Sequence, residues 1–306
     1  MNSYKPAMAA AMIATALALP AAVHAGPAVG LDPTGNGVYS SYADLWTNAT
    51  NSALATNFQT ANTFAPFTPY ISQLRSQMVV GTMANGGALV TPAGLNTNYE
   101  LSAVVRFEEL VDRQTATTAH FALPDSQSAA MDVDPLHDKV QNIAFYFDRF
   151  GPGNTSQAVP GDGPGTVRCY GAGNTAGCGG AGDPDGDGVM VMSGHLIFNE
   201  ANVTANGDVT TGAFDIRFQI DFVDSRYLDV ATGSVFQNNV TGAATMPSTY
   251  SPATMWDGTA ASGVPLMKFD GSGSFALAPL PEPATLALIG IGFAGVALGQ
   301  RRKLPA

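Results

Sequence analysis

The chain has 306 residues, with 13 Lys and Arg against 24 Asp and Glu, and its formal net charge at pH 7 is −11. This acidity excludes nucleic acids and anionic membrane surfaces as partners recognised by charge, and it is compatible with divalent cations. Only 12% of the residues are charged, whereas 34 are Gly and 20 are Pro, a composition that favours strands and turns over helices.

Residues 1–25 have the organisation of a secretory signal peptide with an N-terminal signal helix. Lys5 supplies a positive charge, Ala7 to Leu19 is apolar, and Val23-His24-Ala25 satisfies the small-x-small rule of signal peptidase. We therefore expect cleavage before Gly26 and export of the rest of the chain. Loss of this segment and of the basic cluster near the C-terminus removes four positive charges, which leaves the mature protein at about −15.

The first part of the mature chain has no clear strand pattern. Gly30 to Gly37 is rich in turn-forming residues and predicts a turn. Ser40 to Ser52 has apolar residues at roughly helical spacing, which predicts a short helix or an irregular cap. Residues 53–70 mix small, polar and aromatic side chains and favour a loop or an edge strand.

The remainder predicts an all-β domain over residues 26–280. Alternating apolar and polar residues indicate strands at Tyr99 to Glu108, Ala116 to Leu123, Ile143 to Asp148, Val189 to Phe198 and Phe214 to Val223. The first of these is expected to be half-buried. Met267 to Leu277 predicts the last strands, with a turn at Gly271 and Gly273. Strands with one polar face imply antiparallel sheets packed as a β-sandwich.

A long insertion interrupts these strands at residues 151–188. It is dominated by Gly, Pro, Asp and Asn and has no hydrophobic face, so we expect a surface loop. Both cysteines of the chain, Cys169 and Cys178, lie within it. In an exported protein these two cysteines are expected to form a disulfide; two free thiols are the alternative.

The end of the insertion predicts a calcium site. Asp183, Asp185 and Asp187 alternate and precede a glycine, and the carbonyl of Val189 is a further candidate ligand. The twelfth position of an EF-hand loop, which should be Glu, is Gly194, so the site would resemble the acidic loops of extracellular β proteins. Remote acids would then complete the shell, and the candidates are Asp132, Asp134 and Asp162. The alternative is an acidic β-turn leading into the strand.

Other candidate residues give weaker signals for chemistry. Asp132 to Asp138 is a second acidic cluster, either a metal or acid–base site or a solvated loop. His120 and His195 are isolated and are expected to be surface or hydrogen-bonded side chains. Glu108 and Glu109 point to opposite faces of a strand and are a poor pair for glycoside hydrolysis. The sequence has neither a G-x-S-x-G nor an H-E-x-x-H motif.

The C-terminal segment, residues 281–306, carries the most specific pattern in the chain. In order, it contains Pro281, Glu282 and Pro283, an apolar run over residues 284–299 that predicts a transmembrane helix over 284–300, and the basic residues Arg301, Arg302 and Lys303. As a helix the run would reach about 24 Å, a little less than a bilayer core. The segment resembles the PEP-CTERM sorting signal of Gram-negative bacteria. That resemblance implies a transmembrane helix recognised by an exosortase at the inner membrane and cleaved near the motif. An uncut tail anchor is the alternative.

The body also resembles flocculation-associated PEP-CTERM proteins. The similar segments are Asn98 to Glu109, Ile143 to Asp148, Asp187 to Gly194 and Phe269 to Leu277. The resemblance implies a non-enzymatic role in bacterial aggregation together with exopolysaccharide, and it supplies no catalytic residues. The insertion with the two cysteines is additional to the family pattern.

The sequence therefore favours an exported, exosortase-sorted protein of the cell surface or extracellular matrix that supports flocculation or biofilm formation. Its expected partners are signal peptidase and exosortase during processing, and then exopolysaccharide or neighbouring cells, with calcium as the candidate cofactor. A carbohydrate- or ice-binding module is the first alternative, although the flat Thr array of ice-binding surfaces is absent. A hydrolase of matrix polymers acting through Asp132 or Asp134 is the second.

Overall fold

The computed structural model describes residues 28–58, 67–149, 189–206, 209–245, 256 and 267–278. Within these ranges the chain forms β-strands and one short 3-10 turn, η1, at Ala129–Met131. No helix in the described part of the chain is long and apolar enough to cross a membrane. The predictions of an all-β fold and of antiparallel strand pairing are therefore confirmed.

The described residues form thirteen strands. They are β1 (Val29–Leu31), β2 (Ser41–Ala43), β3 (Leu45–Thr56), β4 (Tyr70–Asn85), β5 (Ala88–Leu89), β6 (Tyr99–Gln114), β7 (Thr118–Ala122), β8 (Ile143–Arg149), β9 (Val189–Asn206), β10 (Val209–Val223), β11 (Leu228–Asp229), β12 (Val235–Thr245) and β13 (Met267–Ala278). All five single strands predicted between Tyr99 and Val223 are present. The predicted insertion lies outside the described residues, between β8 and β9.

Ten of the described strands form the main sheet, which closes on itself. Its order is β4, β3, β13, β12, β10 and β9, then β7 and β8 end to end, then β6, which pairs again with β4. Strand β5 pairs with the end of β4, at Ala84 and Asn85. The two layers of the expected sandwich are therefore the two sides of one continuous sheet, and they face each other across a shared core.

Aromatic side chains fill the interior of this closed sheet. The Trp46 ring of β3 lies 5.6 Å from that of Phe145 on β8 and 5.7 Å from that of Phe236 on β12, both in edge-to-face geometry. Phe107 and Phe218 meet across the same space, with 6.3 Å between ring centroids. Such pairs add stabilisation beyond the apolar area that they bury. The alternating apolar positions of the predicted strands are the positions that point inward.

A second, smaller apolar cluster covers part of the outer face. It is formed by Leu54, Val79, Val104, Ala144 and Trp256, which belong to β3, β4, β6, β8 and the segment before β13. The backbone N–H of Trp256 donates to Gln77 Oε1 at 2.8 Å, and the Arg106 guanidinium lies 5.4 Å from the centre of its ring. The first half of β6 is thereby buried on both faces, so the prediction of a half-buried strand there was wrong.

Two further predictions were wrong for reasons of tertiary pairing. Ser40 to Ser52 forms β2 and most of β3 and not a helix or cap, because β3 is hydrogen-bonded to β4 on one side and β13 on the other. Met267 to Leu277 is one strand without a turn, and Gly271 and Gly273 pair in register with β12. The glycines coincide with an irregularity in the pairing of β13 with β3, between Phe269 and Ser274.

A small three-stranded sheet, β11-β1-β2, lies beside the main sheet. Strand β1 includes Gly30 and Leu31, so the predicted turn over Gly30 to Gly37 begins later than expected, and the structure confirms it from Asp32 onward. Burial alone would raise the pKa of Asp32, but hydrogen bonds from the hydroxyl and amide of Thr34 and from the amides of Val38 and Asn36 outweigh it and lower the pKa to about 2. This carboxylate therefore organises the turn.

Gly194 marks a close approach between β9 and β10. A Cβ atom at this position would lie 2.5 Å from the carbonyl oxygen of Gln219, closer than real Cβ contacts. Gly194 is also paired with Ile143 on β8 and with Ile220 on β10, so its backbone is held from both sides. The residue that occupies the EF-hand Glu position is thus a glycine required by the sheet.

We expect Gly194→Ala to lower the free energy of unfolding by about 2 kcal/mol, because the new methyl group overpacks a backbone that is held on both sides. Denaturant unfolding of the variant and the wild type measures this loss. Gly86→Ala is the matched control: no atom lies within 4 Å of its Cβ position, and only its φ of +56° adds strain. Equal losses in both variants would contradict the role of the close contact.

Candidate functional site

The segments with the most specific motifs lie outside the described residues. They comprise Cys169, Cys178, Asp162, Asp183, Asp185 and Asp187 in the insertion and the C-terminal residues from Pro281 to Lys303. Val189 is described: it begins β9 and pairs with Phe147 of β8. The insertion therefore connects two strands that are hydrogen-bonded to each other, and its predicted disulfide and calcium loop stay predictions.

The acidic cluster Asp132 to Asp138 folds back on itself and packs against β9. Asp132 Oδ1 accepts the amides of Asp134 and Gln141, each at 3.0 Å. The side chain of Asp134 is buried, and its Oδ2 accepts the Ser193 hydroxyl at 2.8 Å. Two of the three acids named as remote calcium ligands, Asp132 and Asp134, thus use carboxylate oxygens to hold this loop, and the loop is only partly solvated.

Ser193, Asp134 and His137 lie together, but not in the order of a catalytic triad. His137 Nδ1 is 2.5 Å from the same Asp134 Oδ2 that accepts the Ser193 hydroxyl. Nucleophilic catalysis needs the hydroxyl to face a base, with the acid behind that base. Here the acid stands between the hydroxyl and the imidazole. Burial, aided by the charge of Asp134, also raises the pKa of the adjacent Tyr146 to about 12.

Both isolated histidines are hydrogen-bonded, as predicted. His195 Nδ1 lies 2.5 Å from Asp221 Oδ2, and the same oxygen accepts Gln141 Nε2 at 3.1 Å. Burial alone would raise the pKa of Asp221, but these hydrogen bonds, with the nearby charges, lower it. His120 Nδ1 lies 2.5 Å from Asp112 Oδ1. Across the described ranges, no three His, Cys, Asp or Glu side chains converge to hold a metal ion.

Glu108 and Glu109 point to opposite faces of β6, as predicted. Glu108 faces outward and accepts the amide of Ser128 at 3.1 Å. Glu109 faces the interior, where only 1% of it is exposed, and it contacts Asn199 Nδ2 at 3.2 Å and the Ser72 hydroxyl at 3.4 Å. Burial raises the pKa of Glu109 to about 7, although both hydrogen bonds act against this rise.

A cleft of about 470 Å³ opens where β6, β7 and β9 lie side by side. This volume is within the range of about 300–1,000 Å³ found for small-molecule sites. Phe67 gives the cleft an apolar part, and Ala119 and Val203 border it although their side chains belong to the core. Its polar part includes Arg113, Thr118, His120, Asn202 and Thr204. A mixed lining of this kind suits a ligand that has both apolar and hydrogen-bonding surfaces.

Strand register places the polar side chains of the cleft on one face. Arg113 of β6 pairs with His120 of β7, and His120 pairs with Asn202 of β9. Thr118 pairs with Thr204, and this pair lies two residues from His120 and Asn202 along the same two strands. Because directly paired residues project to the same side of a sheet, these five side chains form two adjacent polar rows.

Sequence reasoning singled out only His120 among these residues. Arg113 and Asn202 are far apart in the chain, and neither belongs to a motif. Their proximity depends on the register of three strands, one of which is reached after the long insertion. The sequence signal for the cleft was the alternation of polar residues in the predicted strand that contains His120. This alternation does not show which residues of other strands lie beside His120.

Comparison with known proteins identifies the C-terminal segment. A family model described as the PEP-CTERM protein-sorting motif matches residues 279–303, which include the Pro281 to Pro283 motif and the basic cluster. No curated protein and no solved structure matches the chain. The resemblance to the sorting signal is thus confirmed, and it indicates a protein that is processed by an exosortase and exported to the cell surface. The flocculation-family resemblance of the body stays a prediction.

Proposed function

We propose that this exosortase-sorted protein is a non-enzymatic component of the extracellular matrix that supports flocculation together with exopolysaccharide. The proposal rests on the position of the sorting motif, which follows directly after the last strand of the sheet. Strand β13 ends at Ala278, and the sorting motif begins at residue 279. Cleavage within the motif therefore releases the closed β-sheet domain with all of its strands.

The described polar clusters support a structural role. Asp134, Ser193 and His137 fix a loop against β9. Asp221 of β10 holds the end of the same loop through Gln141 and Lys139. The interior is filled by aromatic rings and is surrounded by the strands of the closed sheet. Catalysis would need acids, bases or nucleophiles that converge on a shared accessible space, and the matrix role needs only a stable domain with polar outer faces.

Calcium is the proposed cofactor, bound by Asp183, Asp185 and Asp187 with the carbonyl of Val189. Its role would be to stiffen the insertion where it enters β9. Calcium then raises the melting temperature of the purified protein, and Asp185→Asn abolishes that increase. An unchanged melting temperature across millimolar calcium would exclude this role.

Deletion of the gene tests the proposed function. We expect smaller and weaker flocs, measured by settling rate and by resistance to shear, because the matrix loses a displayed component. The intact gene restores aggregation, whereas a copy that lacks residues 281–306 does not, since the domain is then exported without its sorting signal. Normal flocs in a clean deletion strain would contradict the proposal.

A further inference from the structure

We propose that the cleft between β6, β7 and β9 binds a neutral, hydroxyl-rich sugar unit of a polysaccharide chain. Arg113 and Asn202 are assigned as the residues that hold the sugar hydroxyls. The choice of a polysaccharide rests on the proposed matrix function, whereas the choice of a sugar ring and its neutrality rest on the geometry and charge of the cleft.

The polar rows offer hydrogen-bonding groups that the fold does not use. Asn202 and Thr204 are exposed, and within the described ranges their side chains form no hydrogen bond. The Arg113 side chain is 71% exposed, and among the described residues only its Nε contacts an acceptor, Asp112 Oδ1, at 3.5 Å. Its two amino groups extend beyond this contact. Together these side chains present donors and acceptors at one rim, as vicinal sugar hydroxyls require.

The cleft has an apolar part that fits the C–H face of a sugar ring. Phe67 supplies this part, with its ring centroid 6.3 Å from that of Tyr70. Ala119 and Val203 border the cleft, but they alternate with the polar rows and their side chains are buried in the core. The Tyr70 hydroxyl donates to Gln114 Oε1 at 2.8 Å, which fixes the ring next to the cleft. A pyranose presents apolar C–H groups on its faces and hydroxyls around its edge, so it matches both parts of the lining.

Charge favours a neutral sugar over an acidic one. The positive charge of Arg113 is balanced locally by Asp112, which also contacts His120. Glu200 lies on the same outer face, two residues before Asn202 on β9. The whole chain carries a net charge of −11, so a polyuronate would be repelled most strongly at low salt. A neutral chain meets no such barrier.

Weak single contacts are sufficient for a matrix protein. One sugar ring held by a few exposed hydrogen bonds gives modest affinity, because each bond replaces one with water. Many displayed copies that bind one polysaccharide chain gain a large increase in avidity by effective concentration. A shallow, open cleft on each copy thus suits reversible cross-linking.

The test uses the full-length chain purified in mild detergent, titrated with hexasaccharides of glucose, mannose and galactose and with hexagalacturonate. We expect at least one neutral hexasaccharide to bind, with little change in affinity between 50 mM and 500 mM salt. Arg113→Ala and Asn202→Ala should each weaken that binding about fivefold or more. Arg226→Ala is the control, because it removes an exposed positive charge at the β10–β11 turn, away from the cleft.

Several outcomes would overturn the assignment. These are the absence of binding to every neutral hexasaccharide, unchanged affinity in both cleft variants, and tighter binding of hexagalacturonate than of any neutral sugar. Competition by a poly-glutamate peptide as strong as that by the sugar would also overturn it, because the cleft would then select charge. Both cleft residues are exposed, so melting temperatures equal to that of the wild type are expected and confirm that each variant is folded.

The failure of this inference differs from the failure of the proposed function. If the deletion strain forms weak flocs and the purified protein binds no neutral sugar, the matrix role stands and the cleft assignment fails. If sugar binding depends on Arg113 and Asn202 while the deletion strain aggregates normally, the cleft assignment stands and the matrix role fails.

Discussion

Trp46→Ala is expected to lower the free energy of unfolding by about 3–5 kcal/mol, the range for large aromatic truncations in a core. Trp46 is 1% exposed and is among the largest fully buried side chains. It joins β3 to β8 and β12 through its contacts with Phe145 and Phe236. Its loss leaves a cavity between strands that are not hydrogen-bonded neighbours, so adjacent side chains cannot fill the space by a small shift.

Trp46→Phe separates the loss of volume from the loss of the indole N–H. Within the described part of the chain, Trp46 Nε1 is buried without a hydrogen-bond partner. Phenylalanine removes this unsatisfied donor and keeps most of the aromatic contact, so its cost should be well below that of Ala. Leu136→Ala is the control for an apolar truncation, because Leu136 is 86% exposed. The losses of unfolding free energy are measured by denaturant unfolding. If Trp46→Ala loses no more than Leu136→Ala, the bridging role of Trp46 is contradicted.

Glu109 is expected to make the domain less stable as the pH rises from 4.5 to above 7. The folded-state pKa of about 7 is raised from 4.5, so the folded protein holds the proton more tightly than the unfolded chain does. This contribution to stability is fully present below pH 4.5 and is lost as the pH rises through about 7. The shift corresponds to a loss on the order of 3 kcal/mol.

Glu109→Gln should remove this pH dependence. The new amide stays neutral at every pH, can still accept from Asn199 Nδ2, and has a candidate acceptor in Asn199 Oδ1, which is buried without a partner among the described residues. The unfolding free energy of the wild type should therefore fall between pH 4.5 and 8.5. At pH 8 the unfolding free energy of the variant should be higher than that of the wild type. Glu200→Gln matches the change in charge at an exposed site of β9. If Glu200→Gln flattens the profile equally, net charge and not burial is the cause.

Strands with one simple inner face could be predicted from the sequence. Phe214 to Val223 places Phe and Ile inward and polar residues outward, and β10 follows this pattern. Strand β4 could not be predicted in this way, because its polar residues Arg75 and Gln77 are buried on the outer face. Gln77 accepts the Trp256 amide, and Arg75 donates to Thr56. The spacing of hydrophobic residues within a strand cannot show that a segment distant in the sequence buries the strand's polar side chains.

Among the candidate sites, those made of consecutive residues could be predicted, and those assembled from separate strands could not. The sorting motif is continuous, so its order of short motif, apolar run and basic cluster could be identified directly. The hydrogen-bonded state of His120 and His195 could be inferred from residue type, but their partners Asp112 and Asp221 could not. The cleft was missed because Arg113, His120 and Asn202 come together only through strand register.

The pairing of β3 with β13 determines when the domain can finish folding. Leu45 pairs with Ala276 and Ala55 with Met267, so one of the first strands of the sheet is completed by the last. A chain that leaves the cytoplasm N-terminus first holds β3 with one free edge until β13 has followed. The sheet therefore cannot close until β13 is available, and β13 ends at Ala278, directly before the sorting motif.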